Sequence, residues 1–325
     1  MDIYTSIKEF FTLEPEQDCV IDNFVFRLNY RTTSAIIMLC WAFVTATNFV
    51  GSPIACLTEG NPEDFIELYC ITHSTFTVPD TRKLNPRFKS DEVSYQKYYL
   101  WVHLVLFVQS YLFYSTGWIW SSWEGGKVHK LKSISKTALL DYFSYKRGNH
   151  NSYAFGFIIC EFLSCAHVAL QIYLMDRFFD GEFTYFGVKV FQILFLDFGE
   201  RDDALEKVFP KLVKCTFEKF GSSGTKQVYD SLCLLTMNII NEKIFSALWF
   251  WFVFLFVASF LALAYDLASV VSKNFRYFGS RLLEWPSAKA AKKLNFGDWF
   301  LLCQLSKNVD QNVFHILLEH IENEL

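Results

Sequence analysis

The chain has 325 residues, of which 52% are hydrophobic, 19% aromatic and only 20% charged. That composition excludes intrinsic disorder, and a formal net charge of −4 counts against a nucleic-acid binder. Length alone allows two soluble domains, but the apolar residues are bunched into a few long runs, and the bunching decides the class.

In chain order, residues 1–32 come first, with six acids and no apolar run, so no signal peptide is expected there. Their opening, MDIYTSIKEFF, is mildly amphipathic: Ile3, Tyr4, Ile7, Phe10 and Phe11 cluster on one side. Such a segment could lie on a membrane surface or fold into a pore. Four uncharged or nearly uncharged stretches follow, at 33–50, 98–120, 153–175 and 244–265, each near the ~20 residues that cross a bilayer. A fifth run, Phe186–Phe198, carries Lys189 and Asp197 and is too short. Four spans leave a first loop at 51–97, a second connecting segment at 121–152, a third at 176–242 and a tail at 266–325. The tail is expected to be helical. Asp310 is placed to N-cap a helix with Val313, Phe314, Leu317, Leu318 and Ile321 on one face, and Asp298 to start a shorter one.

An even number of spans puts both termini on one side. Lys and Arg near the span ends number 11 on that side and 8 on the other, a weak preference for cytosolic termini. The nine cysteines are more decisive. Cys56 and Cys70 fall in the 51–97 loop and Cys215 and Cys233 in the 176–242 loop, both on the side the charges call extracellular, where paired cysteines form disulfides. Four cysteines allow three pairings, and spacing does not choose among them. Cys40, Cys160 and Cys165 lie within spans; Cys19 and Cys303 read as cytosolic thiols.

Other polar groups have plainer readings. Glu161, inside the third span, is about 12 Å from its inner end, so an interfacial or helix-paired carboxylate is favoured over a functional one. His103 and His167 stand alone, without metal-ligand spacing. Glu59, Glu63, Asp64 and Glu67 would concentrate cations if ringed around a pore mouth, and are an ordinary solvated face otherwise. Trp and Tyr crowd both ends of the second span, as interfacial anchors do. There is no nucleophile elbow, P-loop, dinucleotide fingerprint or zinc spacing, so neither an enzyme nor a cofactor is expected.

Several runs resemble one family. YQKYYLWV (95–102) is similar to the YYQWV signature of the second span of innexins, the invertebrate gap-junction proteins, with Tyr98, Tyr99, Trp101 and Val102 at matching positions and Leu100 replacing Gln. FVFRLNY (24–30), FVGSPIAC (49–56), YCITHSTFTV (69–78), SWEGGK (122–127), VFPKLVKCTFEKFGSSG (208–224), NIINEKIF (238–245) and GDWFLLCQLSKN (297–308) resemble innexin segments in the same order. Ser222 stands where Pro is common.

The resemblance implies an all-α transmembrane fold. Its four-helix bundle would carry disulfide-linked extracellular loops and a helical cytoplasmic domain, and copies would ring a central pore, best as an octamer. It implies Cys56–Cys233 and Cys70–Cys215 disulfides, and a pore-lining start at Met1, Asp2, Ile3 and Tyr4. Rings on adjacent cells would dock as gap junctions passing ions and small metabolites, in plasma membrane lipid, with copies of the chain or other innexins as partners. An undocked, pannexin-like channel is the alternative. A pore-less tetraspan scaffold is disfavoured, because neither a CCG motif nor a W…GLW…C…C loop is present.

Overall fold

The computed structural model describes residues 19–57, 63–73, 75–77, 94–96, 98–193, 205, 208–285 and 288–323. All four apolar stretches are helical. Asn23 caps a short helix α1 (Phe24–Arg27), its Oδ1 accepting from the Phe26 N–H at 2.7 Å. A π-helical turn (Leu28–Thr32) leads into α2 (Thr33–Val50). The other long helices are α4 (Val102–Glu124), α7 (Asn151–Phe178) and α9 (Thr236–Val271). Among the described residues, α7 and α9 are long and apolar enough to cross a membrane, with mean hydropathy 1.7 and 2.3. Only 44% and 28% of their most apolar windows are buried within the chain, less than a soluble core helix needs. α4 carries many Tyr, Trp and Ser residues, which lower its hydropathy.

The chain packs as two compact units. One comprises Arg31–Phe113 and His167–Phe256, and the other Met1–Tyr30, Tyr114–Ala166 and Val257–Leu325. The first contains a five-stranded antiparallel sheet, so the all-α expectation is corrected. Its strands are β1 (Ala55–Leu57), β2 (Thr75–Thr77), β3 (Ser94–Gln96), β4 (Leu212–Phe220) and β5 (Lys226–Leu234), in the order β1-β5-β4-β2-β3. The physical cause is period-two alternation in LVKCTFEKF, which turns Val213, Cys215 and Phe217 inward and their neighbours outward. Helices α3 (Glu63–His73) and α8 (Phe183–Ile193) belong to this unit together with α2 and the adjoining parts of α4, α7 and α9; α8 occupies the start of the short fifth apolar run.

The second unit is helical. The connecting segment 121–152 holds α5 (Lys127–Ser133) and α6 (Lys136–Lys146), and the tail holds α10 (Lys273–Leu282), α11 (Phe296–Leu305) and α12 (Gln311–Asn323). Asp310 caps α12 by accepting from the Asn312 N–H at 3.1 Å, and Phe314, Leu317, Leu318 and Ile321 are buried. Asp298 does not start its helix: Asn295 holds the N-cap position of α11, and Asp298 is buried within the first turn. The reason is a stronger claim on its carboxylate. Oδ1 meets His150 Nδ1 at 2.6 Å and Oδ2 accepts from the Gly148 N–H at 2.9 Å, while His150 Nε2 meets the Tyr142 hydroxyl at 3.0 Å. Every residue of α11 is buried, as suits a helix apolar on all sides. Gly297 is required there, since a Cβ would strike the backbone of His150 and Asn151.

Candidate functional site

The most constrained site is the sheet. Cys56 is bonded to Cys233, directly opposite it in the β1–β5 register, and Cys70 of α3 is bonded to Cys215 of β4. The two loops predicted from the cysteines are thus one cross-linked module, whose pairs are those the family resemblance implies. Its small core gathers Ile54, Ile66, Tyr99, Val213, Phe217, Leu235 and Met237 around the four sulfurs.

Beyond that core β4 and β5 continue as a two-stranded arm. Past Phe217 the strands are exposed on both faces, with Phe220 at 71% and Val228 at 62% exposure. The Phe217 and Tyr229 rings stack at 5.2 Å and close the base. The tip is a tight turn in which the Gly224 N–H donates to Gly221 O at 2.9 Å; Gly224 has φ 77°, the left-handed region that favours glycine. Ser222 sits in this turn.

The signature run anchors the module. Tyr98 packs its ring against Phe178, Phe179 and Phe209 and donates its hydroxyl to Val208 O at 2.9 Å. Tyr99 and Val102 are buried, whereas Trp101 is exposed. Leu100, in place of the family's Gln, is 37% exposed. The start of α9 holds the far side: Asn238 Nδ2 donates to Pro210 O at 2.9 Å, and Lys211 pairs with Glu242 at 3.0 Å.

Of the four acids, Glu59 lies outside the described residues; Glu63, Asp64 and Glu67 fall on α3, and Glu67 is half-buried. Met1, Asp2, Ile3 and Tyr4 also lie outside the described residues. The root of their segment is held firmly. The Asn308 carboxamide takes both polar groups of Val20, accepting from its N–H at 2.6 Å and donating to its carbonyl at 2.7 Å. Lys307 donates to Asp22 O at 3.1 Å, and Trp120 Nε1 to Ile21 O at 3.0 Å. Asp22 accepts from Arg27 and Tyr30. Glu161 is buried and accepts from Asn23 Nδ2 at 2.6 Å, which makes it a helix-pairing carboxylate. His167 Nε2 meets the Gln171 amide at 2.9 Å and its ring packs on Phe113, so it belongs to the interior packing. Sequence reasoning missed the Asn308 clamp and the Asp298–His150 contact, because both link residues at least 148 positions apart.

Two helices long and apolar enough to cross a membrane, with loops stapled into one sheet, define a class of helical proteins that carry a disulfide-linked module. The family match is specific: the innexin family profile fits residues 22–325. Innexin inx2 of Drosophila melanogaster is 40% identical over all of this chain and 96% of its own length. Innexin inx2 of Schistocerca americana is 38% identical over all of this chain and 98% of its own. Innexin shaking-B of Drosophila melanogaster is 35% identical, again over the whole chain and 95% of the relative. The chain belongs to the innexins, a family of gap-junction and channel proteins of the plasma membrane rather than of enzymes.

Proposed function

We infer that this chain is the subunit of a large-pore intercellular channel: four helices cross the membrane, both termini are cytosolic, and a ring of copies, best as an octamer, docks with a ring on the adjacent cell. The observation that carries this reading is the covalent stapling of the two loops into one module with a projecting hairpin. Docked surfaces must seal against the bath, and a preorganised surface loses less entropy on binding than a floppy one. The disulfides also bear on topology. They require the first and third loops to share a side, so the crossing by α7 needs a second crossing between Cys70 and Cys215, and α4 is the helix available for it. The weak charge bias favours cytosolic termini. Met1 to Tyr4 would narrow the pore, and Glu59, Glu63, Asp64 and Glu67 would line its outer mouth if they face the axis. Ions and small cytosolic metabolites would pass passively.

The undocked channel remains a second reading, against which stands the lack of any N-x-Ser/Thr sequon, since a glycan on an outer loop would hinder docking. Dual voltage clamp on paired cells expressing only this chain, with single-cell membrane current alongside, separates the two. Junctional current is the expected result. Membrane current without junctional current would move the assignment to an undocked channel.

A further inference from the structure

The end of the fourth apolar helix carries a feature that channel formation does not use. α9 ends at Val271, which is 87% exposed, and after a break at Ser272 the chain starts α10. The inner face of α10 is fixed. Arg276 Nη1 donates to Ser269 O at 2.9 Å and to Val270 O at 3.3 Å, satisfying carbonyls at the end of α9. Gly279 lies so close to Tyr265 that a Cβ would strike the hydroxyl, and Ser280 Oγ accepts from Trp299 Nε1 at 2.9 Å. Two residues past the helix end at Leu282, Glu284 with φ 53° turns the chain so that the Trp285 N–H donates to Ser280 O at 3.0 Å and its ring enters the core.

The opposite face is apolar and open. Phe275, Phe278 and Leu282 are 45%, 55% and 68% exposed, and at ~100° per residue they fall within about 60° of one another. Arg281, exposed, borders them about 60° from Phe278, whereas the exposed Lys273 lies on the far side of the helix. Because Gly279 and Phe275 pack at Tyr265, the helix lies at the depth where the uncharged stretch Ile244–Tyr265 ends. On α9 the exposed Leu261 lies one turn before Tyr265 on the same side of the helix.

We propose that α10 is an in-plane membrane helix, whose Phe275–Phe278–Leu282 stripe inserts into the cytosolic leaflet while Arg281 contacts anionic lipid headgroups. The occupant is lipid, rather than a second protein, on two grounds. The stripe starts at Phe275 against Tyr265, one turn from the exposed Leu261 of a membrane-length helix, and Arg281 puts a basic group on its border, as in interfacial helices. The proposal rests on α9 crossing the bilayer. Its consequence is that the tail domain is tied to the membrane by a site separate from the spans, so leaflet charge can act on it.

The test uses the full-length protein in liposomes of phosphatidylcholine with a minor fraction of phosphatidylserine. Phe278→p-benzoylphenylalanine and, independently, Leu282→p-benzoylphenylalanine are irradiated and their adducts identified by mass spectrometry; Leu261→p-benzoylphenylalanine on α9 reports the span itself. Lipid adducts are expected at all three positions. At 278 and 282 phosphatidylserine should be enriched over its bulk share, on the order of fivefold per basic residue at the surface. Subunit–subunit adducts at 278 and 282, or none, with lipid adducts at 261, would overturn the proposal and leave the span intact. No lipid adduct at any of the three would overturn both.

Discussion

The sheet unit and the tail unit hold together by different chemistry. Among the described residues the sheet core gathers eleven buried apolar residues, four of them cysteines, so a large share of it is covalently linked. The helical core contains 26, with an entirely buried α11 at its centre, and among the described residues it has no disulfide. It relies instead on shape and on buried polar contacts such as Asp298–His150. The difference suits the compartments proposed for them, since an oxidising exterior preserves disulfides and a reducing cytosol does not.

The largest effect expected is on the stapled side. The bonds span 177 and 145 residues, and losing either should cost about 2–5 kcal/mol. Cys56→Ser or Cys215→Ser should therefore reduce junctional current to background in paired cells, and normal coupling by either variant would refute the role given to the module. On the packed side, Gly297→Ala meets rigid backbone rather than a movable side chain, and should cost about 3 kcal/mol or somewhat more. Cys303 provides the readout. Burial raises its thiol above the ordinary range, so alkylation at pH 8 should be slow in the native protein and much faster in the variant. Asp298→Ala should cost about 3 kcal/mol by leaving His150 and the Gly148 N–H unpaired, with the same acceleration at Cys303. Mild reductant sharpens the contrast: it should make the sheet unit protease-sensitive while Cys303 stays protected. The smallest effect is at Lys226→Ala. Its pair with Glu218 is 2.6 Å long but half exposed at both ends, and its loss should change stability by no more than about 0.5 kcal/mol in urea unfolding.

Much of this architecture is written in local pattern. The four apolar stretches are helices because runs without charge or Pro favour them, and Asp310 with its 3.6-residue spacing marks α12. Boundaries shift where charge marks an expected end: α9 starts eight residues before Ile244, where the Asn238 amide donates to Pro210 O and Glu242 pairs with Lys211. The strands were legible in principle, since Val213, Cys215 and Phe217 alternate with polar neighbours, but two cysteines per loop drew attention to cross-links rather than to the ladder between them. What could not be read is what tertiary distance decides: that Asp298 serves His150 rather than its own helix, and that Asn308 meets Val20.

That last contact constrains the two positions unequally. Asn308 engages only the main chain of Val20, as a neighbouring strand would, so what it recognises is the path of the backbone and not the residue on it. Position 20 should accept most side chains except Pro, which has no N–H to give. Position 308 should accept almost none: Asp lacks the donor for the Val20 carbonyl, and Gln carries its carboxamide one methylene too far. Across related sequences the root of the N-terminal segment can therefore drift, while the tail residue that holds it stays fixed.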